Sequence, residues 1–330
     1  MTTFIIRRVF SAAITLFLIT LISFIVIQLP PGDVVSNWVR QQEASTGQPL
    51  PPETIENLRR TYGFDEPIII QYFKWIDGFP RGDFGFSIEY SNAPVADILA
   101  QRTGLTVFLG VATLFISWGL AIPFGIFAAT RKNSRWDYFL STLSFIGIST
   151  PDFLIAVIYL FIAVFVLKTD YAGGLFSQEF KDAPWTWERL LDFAKHLPVP
   201  LAILGLGGMA GTFRIMRANL LDILDQQFIE AARAKGLRER IVIYKHATRI
   251  AVNPLISRVG MQLPLLISGT IIISIVLDLP TLGPPFIRAL NRQDMFLAGT
   301  VLMILAIFLL IGNLIADIVL AWSDPRIQYE

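Results

Sequence analysis

The chain has 330 residues, of which 54% are hydrophobic and 16% charged, and it contains no cysteine and two histidines. This composition indicates an integral membrane protein rather than a soluble globular one. The absence of cysteine excludes disulfides, thiolate nucleophiles and Cys-ligated metals, and two histidines leave little for a zinc site. A formal net charge of +1 argues against a nucleic-acid-binding protein, which would present a concentrated basic face.

Uncharged runs near 20 residues predict six transmembrane helices, since a helix rises about 1.5 Å per residue and the hydrocarbon core is about 30 Å thick. The first run, residues 9–29, follows Arg7 and Arg8 and is interpreted as a retained anchor helix because it lacks a small-residue cleavage site. The other five runs cover residues 104–130, 138–167, 197–213, 259–277 and 295–316. The predicted protein is therefore an all-α membrane protein.

The distribution of basic residues predicts the orientation, because Lys and Arg in short loops are retained on the cytoplasmic side. The RKNSR loop, residues 131–135, and the basic stretch after the fourth span fall on the same side as Arg7 and Arg8. The long loop on the opposite side, residues 30–103, carries ten acidic and six basic residues. Both termini are therefore predicted to be cytoplasmic, and this loop is predicted to form an extracytoplasmic subdomain.

The predicted organisation has four parts. Residues 1–29 form the anchor helix, residues 30–103 the loop subdomain, residues 104–322 a core domain of five transmembrane helices, and residues 323–330 a cytoplasmic tail. The core domain includes a charged cytoplasmic segment, residues 219–258.

Two helices are predicted in this charged segment. Apolar residues at three- and four-residue spacing predict an amphipathic helix, and they are Leu220, Leu221, Leu224, Phe228 and Ala231. Basic residues followed by Gly236 and Leu237 predict its end, and a second helix is predicted from about Arg238 to Asn253. A solvated loop whose charges only fix topology is the alternative. The apolar stripe argues against that loop, because short helices are marginal in water without a packing partner.

The segment EAARAKGL, residues 230–237, followed by RERIVIYKHATRIAVNPLI, resembles the cytoplasmic EAA signature of binding-protein-dependent ABC import permeases. Further stretches resemble the dipeptide/oligopeptide branch of that family, and they are IIRRVF, LPPGD, LRRTYGFDEPIIIQYFKW, GDFGFS and SDPRI. The resemblance implies a type I ABC importer, or MetI-like, permease fold with a sizeable extracytoplasmic loop after the first helix. It also implies a bacterial or archaeal inner membrane as the location.

In that family the EAA segment forms coupling helices that seat in a cleft of the ATPase subunit. The resemblance therefore assigns ATPase coupling to Glu230, Ala231, Ala232, Arg233, Lys235, Gly236, Leu237, Arg238, His246 and Arg249. The resemblance also implies three kinds of protein partner: a second homologous permease, two ATPase subunits and an extracytoplasmic solute-binding protein. The chain is expected to lie in a lipid bilayer and to bind no nucleic acid. No cofactor is expected on this chain, because it lacks a GxxxxGK[ST] phosphate loop, so ATP and Mg would bind the partner ATPases.

The chain also departs from the peptide branch. Members of the branch commonly have an Arg-Thr pair where this chain has Glu230-Ala231, and a Glu and Trp-Pro-Gly where it has Ser274 and Leu279-Pro280-Thr281. Peptides, oligosaccharides and other small solutes therefore stay open as cargo. A secondary transporter or channel is a more distant alternative, which leaves the charged helix pair unexplained. An intramembrane enzyme is weaker still, since no acid/base pair is evident, and no catalytic residue is assigned.

Four residues are candidates for a translocation path: Asp152, Pro151, Pro264 and Ser274. Asp152 is an acid deep within an apolar span, and such charges are commonly functional. Helix initiation is the competing interpretation, with Thr150 as cap, Pro151 at the first helical position and Asp152 in the first turn. Pro264 is predicted to bend the fifth helix. Gly207 and Gly211 form a GxxxG pair, which predicts close helix packing.

Overall fold

The computed structural model describes residues 2–169, 172–181 and 183–323, and it describes their side chains except at residues 2–7, 9, 259–269, 316 and 320–323. Its amino-terminal part contains α1 (Thr2–Gln28), α2 (Val34–Thr46), α3 (Pro52–Tyr62) and α4 (Ile68–Gly78). A short antiparallel hairpin follows, in which β1 (Phe86–Ser87) pairs with β2 (Ala93–Pro94). The predicted tail beyond Ser323 lies outside the described residues.

The rest of the described chain is helical with connecting loops. The helices are α5 (Val95–Ala129), α6 (Arg135–Ser149), α7 (Asp152–Phe161), α8 (Trp187–His196), α9 (Pro198–Leu224), α10 (Gln227–Ala234), α11 (Glu239–Ile241), α12 (Thr248–Ala251), α13 (Asn253–Val276), α14 (Gly283–Arg292) and α15 (Met295–Ser323). A π-helical segment, Ile162–Val166, extends α7, and another, Val242–Ala247, joins α11 to α12.

Among the described residues, four helices are long and apolar enough to cross a membrane: Phe10–Gln28, Val95–Ala129, Pro198–Leu224 and Met295–Val319. A fifth crossing is obtained if α6 and the extended α7 count as one span. The predicted fifth span, residues 259–277, falls largely within α13, where the side chains of residues 259–269, including Pro264, lie outside the described residues.

The span predicted over residues 138–167 is not one continuous helix, because α6 and α7 meet at an angle of 92°. α7 begins at Asp152, where the sequence offered helix initiation as one of two interpretations. Thr150, which precedes a proline, is extended with φ −96° and ψ 121°. A residue before proline is sterically disfavoured in the α region, and the proline itself has no N–H to donate. Hydropathy alone did not show this break, because the residues on both sides of it are apolar.

The predicted amphipathic helix from residue 219 is also divided differently. α9 continues past the predicted end of the fourth span at residue 213 and reaches Leu224, and α10 begins only at Gln227. Gln226 between them is extended, with φ −87° and ψ 149°. The three- and four-residue spacing of apolar residues continues across this break, so periodicity did not reveal it.

Contacts divide the chain into two compact units. The first comprises Met1–Thr106 and Thr281–Leu310, and the second comprises Val107–Pro280 and Ile311–Glu330. Residues 281–310 thus belong to the same unit as the amino-terminal part of the chain.

The first unit has a small apolar core beneath α2. Val34, Val35, Val39 and Ile88 are buried together. The Asp33 carboxylate caps α2 by accepting from the Ser36 N–H at 2.6 Å, and it pairs with Arg59 at 3.3 Å. The LPPGD motif therefore begins the folded part of the loop, because its Asp starts the helix that carries this core.

Candidate functional site

The charged hairpin, defined as residues 227–251, consists of α10, a tight turn and the helical run from α11 to α12. At the turn Gly236 has φ 76°, and its N–H donates to the Arg233 carbonyl at 2.9 Å. The Leu237 N–H donates to the Ala232 carbonyl at 3.4 Å. These two bonds make a Schellman motif, which usually requires glycine at the left-handed position. The predicted helix end at Gly236 is confirmed.

An ion pair links the two arms of the hairpin. The Arg233 guanidinium donates to both carboxylate oxygens of Glu239, at 3.2 and 2.9 Å. The hydrogen bond from Arg233 lowers the pKa of Glu239, and the same bond raises the pKa of Arg233. Both side chains are substantially exposed, so solvent screens the ion pair. The pair therefore contributes little to the stability of the fold, and its main effect is to orient the two arms of the hairpin.

One side of the charged hairpin is packed into an apolar cluster of the second unit. Ile229, Val242, Ala247 and Ala251 are fully buried. They cluster with side chains of α9 and α5, which are Met216, Leu220, Ile223, Ile126 and Ala129. Full burial of a side chain such as Ile or Val contributes about 1.5–3 kcal/mol. The hairpin is therefore held by two long helices, and a displacement of it would be transmitted to both.

The other side of the charged hairpin is exposed, and it carries most of the predicted coupling residues. The exposed members are Glu230, Ala231, Arg233, Lys235, Gly236, Leu237, Arg238 and Arg249. Ala232 and His246 are half-buried, and Ala232 packs against the apolar cluster. Tyr244, which sequence reasoning had not selected, is 62% exposed. The hairpin thus presents a mixed surface of charged, small and apolar side chains.

The predicted apolar stripe of this segment is only partly correct. Leu220 and Leu224 contribute to the apolar cluster, whereas Phe228 and Ala231 are exposed. Ile229 takes the buried position instead. The extended residue Gln226 rotates the register of α10 relative to α9, so a stripe drawn through one continuous helix selects the wrong residues.

A buried ion pair joins α6 to α9. The Asp137 carboxylate is 1% exposed and accepts two hydrogen bonds from the Arg217 guanidinium, at 2.5 and 2.7 Å. It also accepts from the Asn133 N–H at 3.0 Å, which ties the RKNSR loop to the pair. Sequence reasoning missed this pair, because its members are 80 residues apart and no local spacing connects them.

The predicted path residues have distinct surroundings. Asp152 lies in the first turn of α7, and a Cβ on Gly207 of α9 would approach its Oδ1 to 3.0 Å. Thr150 does not cap α7, since its hydroxyl donates to the Ile146 carbonyl at 2.8 Å, and Pro151 is the N-cap residue rather than the first helical one. Ser274 is fully buried, and its hydroxyl has no hydrogen-bond partner among the described residues.

The predicted GxxxG packing differs as well. Gly207 accommodates the Asp152 side chain rather than a neighbouring backbone, and a Cβ on Gly211 would meet nothing within 4 Å. Gly211 instead lines a cavity of about 580 Å³ between α6 and α9. Small residues on α9 therefore leave space for polar groups and for this cavity.

Arg214 places a positively charged side chain in the α6–α9 cavity. In the sequence analysis this residue counted only among the basic residues that predict the orientation. Its lining includes Ser141, Ser144 and Phe145 from α6 and Arg214 and Arg217 from α9. The Arg214 guanidinium lies over the Phe145 ring at 4.6 Å from the centroid. The Asp137 carboxylate neutralises Arg217, whereas an aromatic face stabilises Arg214.

The charged hairpin is thus anchored on α5 and α9, two helices long and apolar enough to cross a membrane. Residues 121–329 match the family described as "Binding-protein-dependent transport system inner membrane component", and residues 1–109 match the family described as its N-terminal part. The chain belongs to this family of transport subunits, and it is a multi-pass inner-membrane protein.

Two full-length relatives illustrate the similarity. The chain is 32% identical to the oligopeptide transport system permease protein AppB of Bacillus subtilis, over 100% of both chains. It is 31% identical to the oligopeptide transport system permease protein OppB of Escherichia coli K12, over 99% of both chains. A chain of the MetNI methionine ABC transporter, in an inward-facing crystal structure, matches with a TM-score of 0.54 and 17% identity. That match covers 69% of this chain and 96% of the other, and it confirms the predicted MetI-like fold.

Proposed function

We propose that this chain is the permease subunit of an ATP-driven importer of peptides and that its charged hairpin couples it to ATPase subunits. The observation that carries the proposal is the two-sided hairpin, which is anchored in α5 and α9 on one side and exposed on the other. Relatives named as oligopeptide permeases, similar over their whole length, support peptides as the cargo class.

The proposed assembly contains a second homologous permease, two ATPase subunits that bind ATP and Mg, and an extracytoplasmic solute-binding protein. Closure of the ATPases around ATP would displace the hairpin, and the apolar cluster would pass that displacement to α5 and α9. The permease itself would bind no cofactor. Coupling is then mechanical, and this chain contributes half of the path.

In the proposed topology the chain crosses the membrane six times, by α1, α5, the bent α6–α7 pair, α9, α13 and α15. Both termini and the charged hairpin are cytoplasmic, since the short RKNSR loop carries three basic residues and the hairpin six basic against two acidic ones. The loop of residues 30–103 would then face the solute-binding protein.

The charges near the α6–α9 cavity support a zwitterionic cargo. Arg214 lies in the cavity, and Asp152 lies against Gly207, seven residues earlier on α9. Seven residues are nearly two full turns, so both charges belong to one side of α9, about 10 Å apart along its axis. A short peptide carries an ammonium and a carboxylate at a comparable separation, whereas a neutral oligosaccharide would offer no opposite charge to either side chain. Asp152 and Arg214 are therefore proposed to contact the ends of the cargo.

The coupling role is tested with the Gly236→Leu substitution in the complete importer, reconstituted in proteoliposomes with its binding protein. A Cβ at Gly236 would meet nothing within 4 Å, so the substitution adds bulk to the docking surface without an internal clash. The left-handed backbone costs about 1–2 kcal/mol for a residue other than glycine. We expect normal membrane insertion and a loss of uptake and of solute-stimulated ATP hydrolysis.

Gly47→Leu is the matched control. Gly47 ends α2 with φ 70°, and a Cβ there would also meet nothing within 4 Å. The control therefore carries the same backbone strain at a site remote in sequence from the charged hairpin. Because Gly47 lies in the loop proposed to face the binding protein, the two variants are compared by co-purification of the ATPase subunits, which Gly47→Leu should preserve and Gly236→Leu should reduce. Normal uptake with Gly236→Leu, or an equal loss of the ATPase subunits in both variants, would contradict the coupling assignment.

A further inference from the structure

Helix α4, within the loop of residues 30–103, has three different faces. Tyr72 and Trp75 are buried, at 6% and 3% exposure. Lys74 lies on a polar face and pairs with Glu66 at 2.7 Å. Ile69 and Phe73, four residues apart, are 71% and 60% exposed. A soluble helix would not normally present a large apolar face to water in addition to its packed one.

Contacts with α1 show the depth of the buried face of α4. This face lies beside the apolar part of α1, on the membrane-interior side of the end of that helix. The Tyr72 hydroxyl is 2.9 Å from the Thr20 hydroxyl, and the rings of Tyr72 and Phe24 meet edge to face at 5.3 Å. The apolar run of α1 ends at Gln28. At about 1.5 Å per residue, Phe24 lies about 6 Å and Thr20 about 12 Å inside that end.

A second crossing helix gives the same depth independently. Trp75 lies so close to Gly299 of α15 that a Cβ there would be 2.6 Å from the indole Cζ2. Gly299 is four residues inside the apolar run that begins at Met295, which corresponds to about 6 Å. At the ends of these two runs, Gln28 donates to Gln71 of α4 at 3.3 Å and to the Met295 sulfur at 3.5 Å. Gln71 thus lies at the boundary between the polar surface and the apolar interior of the membrane, and Trp75 lies on the interior side of that boundary.

We infer that α4 is an interfacial helix whose exposed apolar face, Ile69 and Phe73, inserts among the lipid acyl chains of the leaflet containing the Gln28 end of α1. This face adjoins a lipid-facing surface, because Ile22 and Val26 of α1 are each 58% exposed. Amphipathic helices at a membrane surface bury their apolar face by about 5–10 Å, which agrees with the depth of the α4 contacts. A helix also satisfies its own backbone hydrogen bonds, so it can enter the bilayer without a backbone penalty.

This inference changes the description of the loop that follows α1. The loop is predicted to form an extracytoplasmic subdomain, and α4 would anchor part of this subdomain at the edge of the bilayer. Since α4 contacts both α1 and α15, lipid and these two helices together would fix the position of the short helices that precede it. The inference does not depend on the cargo or on the ATPase partners.

The test uses the natural absence of cysteine, which allows single spin labels in an otherwise unaltered chain. Labels are placed by Ile69→Cys and Phe73→Cys on the lipid face, with Lys74→Cys on the polar face of the same helix and Thr54→Cys on α3 as controls. The complete importer is reconstituted in lipid nanodiscs. Accessibility to oxygen, which partitions into lipid, is compared with accessibility to a water-soluble nickel chelate.

Labels at residues 69 and 73 should favour oxygen over the nickel chelate and report a depth of about 5–10 Å below the phosphates. Labels at residues 74 and 54 should show the reverse preference. A preference for the nickel chelate at residues 69 and 73 would place this face in water and overturn the inference. Exclusion of both reagents there would identify a protein partner rather than lipid, and it would overturn the inference as well.

Discussion

Asp294 is a buried carboxylate that connects distant parts of the first unit. It is 1% exposed, and its oxygens accept from the Ser87 hydroxyl at 2.6 Å, the Glu89 N–H at 3.4 Å and the Leu297 N–H at 3.2 Å. It therefore caps α15 and holds the β1–β2 hairpin to that cap. Burial raises the pKa of Asp294, the charge of Glu89 raises it further, and the three hydrogen bonds only partly offset this shift.

Asp294→Ala should lower the free energy of unfolding by about 1–3 kcal/mol, because it leaves three donors without their acceptor. Asp294→Asn keeps an oxygen acceptor and should cost less. Because the folded-state pKa is raised, the stabilising contribution of the native carboxyl is fully present below its ordinary pKa and is lost as pH rises through the folded-state value. Thermal unfolding from acid to neutral pH should show the native chain losing its advantage over Asp294→Asn. A growing advantage with rising pH would contradict this prediction.

Arg214 provides a second test at the residue scale. Arg214→Gln removes the cation from the α6–α9 cavity, and Arg214→Lys retains the charge. If the guanidinium binds the cargo carboxylate, Arg214→Gln should reduce uptake of a free tripeptide by a factor of about 10 to 150, since a charged hydrogen bond contributes about 1.5–3 kcal/mol. Uptake of the C-terminally amidated peptide should change little. Equal losses for both peptides would indicate a structural role and remove the support for zwitterionic cargo.

At the scale of elements, two ion pairs of similar geometry have different environments. Asp137–Arg217 joins α6 to α9 with the carboxylate fully buried, whereas Arg233–Glu239 joins the two arms of the charged hairpin in largely exposed positions. A buried charge that loses its partner is desolvated without compensation, and water replaces the partner of an exposed one. The first pair should fix the packing of helices, and the second only the orientation of the arms.

Arg217→Gln should therefore destabilise the chain by about 3–5 kcal/mol, because it leaves the buried Asp137 carboxylate without its countercharge. Glu239→Gln should cost only about 0.2–1 kcal/mol. Thermal unfolding of both variants in the same detergent measures the difference. Arg233 lowers the pKa of Glu239 in the folded state. The small contribution of the exposed pair to the free energy of unfolding should therefore be fully present above the ordinary pKa of glutamate. It should disappear as the pH falls through the lowered, folded-state pKa. Equal destabilisation by the two variants would show that burial does not decide the strength of these pairs.

At the scale of the whole molecule, the proposed orientation places the loop of residues 30–103 and the RKNSR loop on opposite sides of the membrane. Single cysteines test it directly, since the natural chain has none. A membrane-impermeant maleimide should label Gln48→Cys in intact cells, because Gln48 is exposed in the loop after α2. It should label Lys132→Cys, an exposed position of the RKNSR loop, only after permeabilisation. The opposite labelling would reverse the topology, and labelling of both from outside would contradict the predicted number of crossings between them.

The sequence by itself determined the features that depend on composition or on neighbours within about one helical turn. Hydropathy identified the four described helices that are long and apolar enough to cross a membrane, the Arg233-to-Leu237 stretch predicted the helix end at Gly236, and the EAA motif identified the family. The position of the exposed turn that carries the predicted coupling residues followed from these local patterns, because caps and turns are fixed by nearby backbone hydrogen bonds.

Tertiary structure alone decided which residues are buried and which charges meet. The break at Gln226 exchanged Phe228 for Ile229 in the apolar cluster, and the pair of Asp137 with Arg217 brought together residues 80 positions apart. The membrane-edge position of α4 likewise depends on its contacts with α1 and α15 rather than on its own sequence. Periodicity gives each helix an apolar face, but the packing of the other helices decides whether that face meets protein, lipid or water.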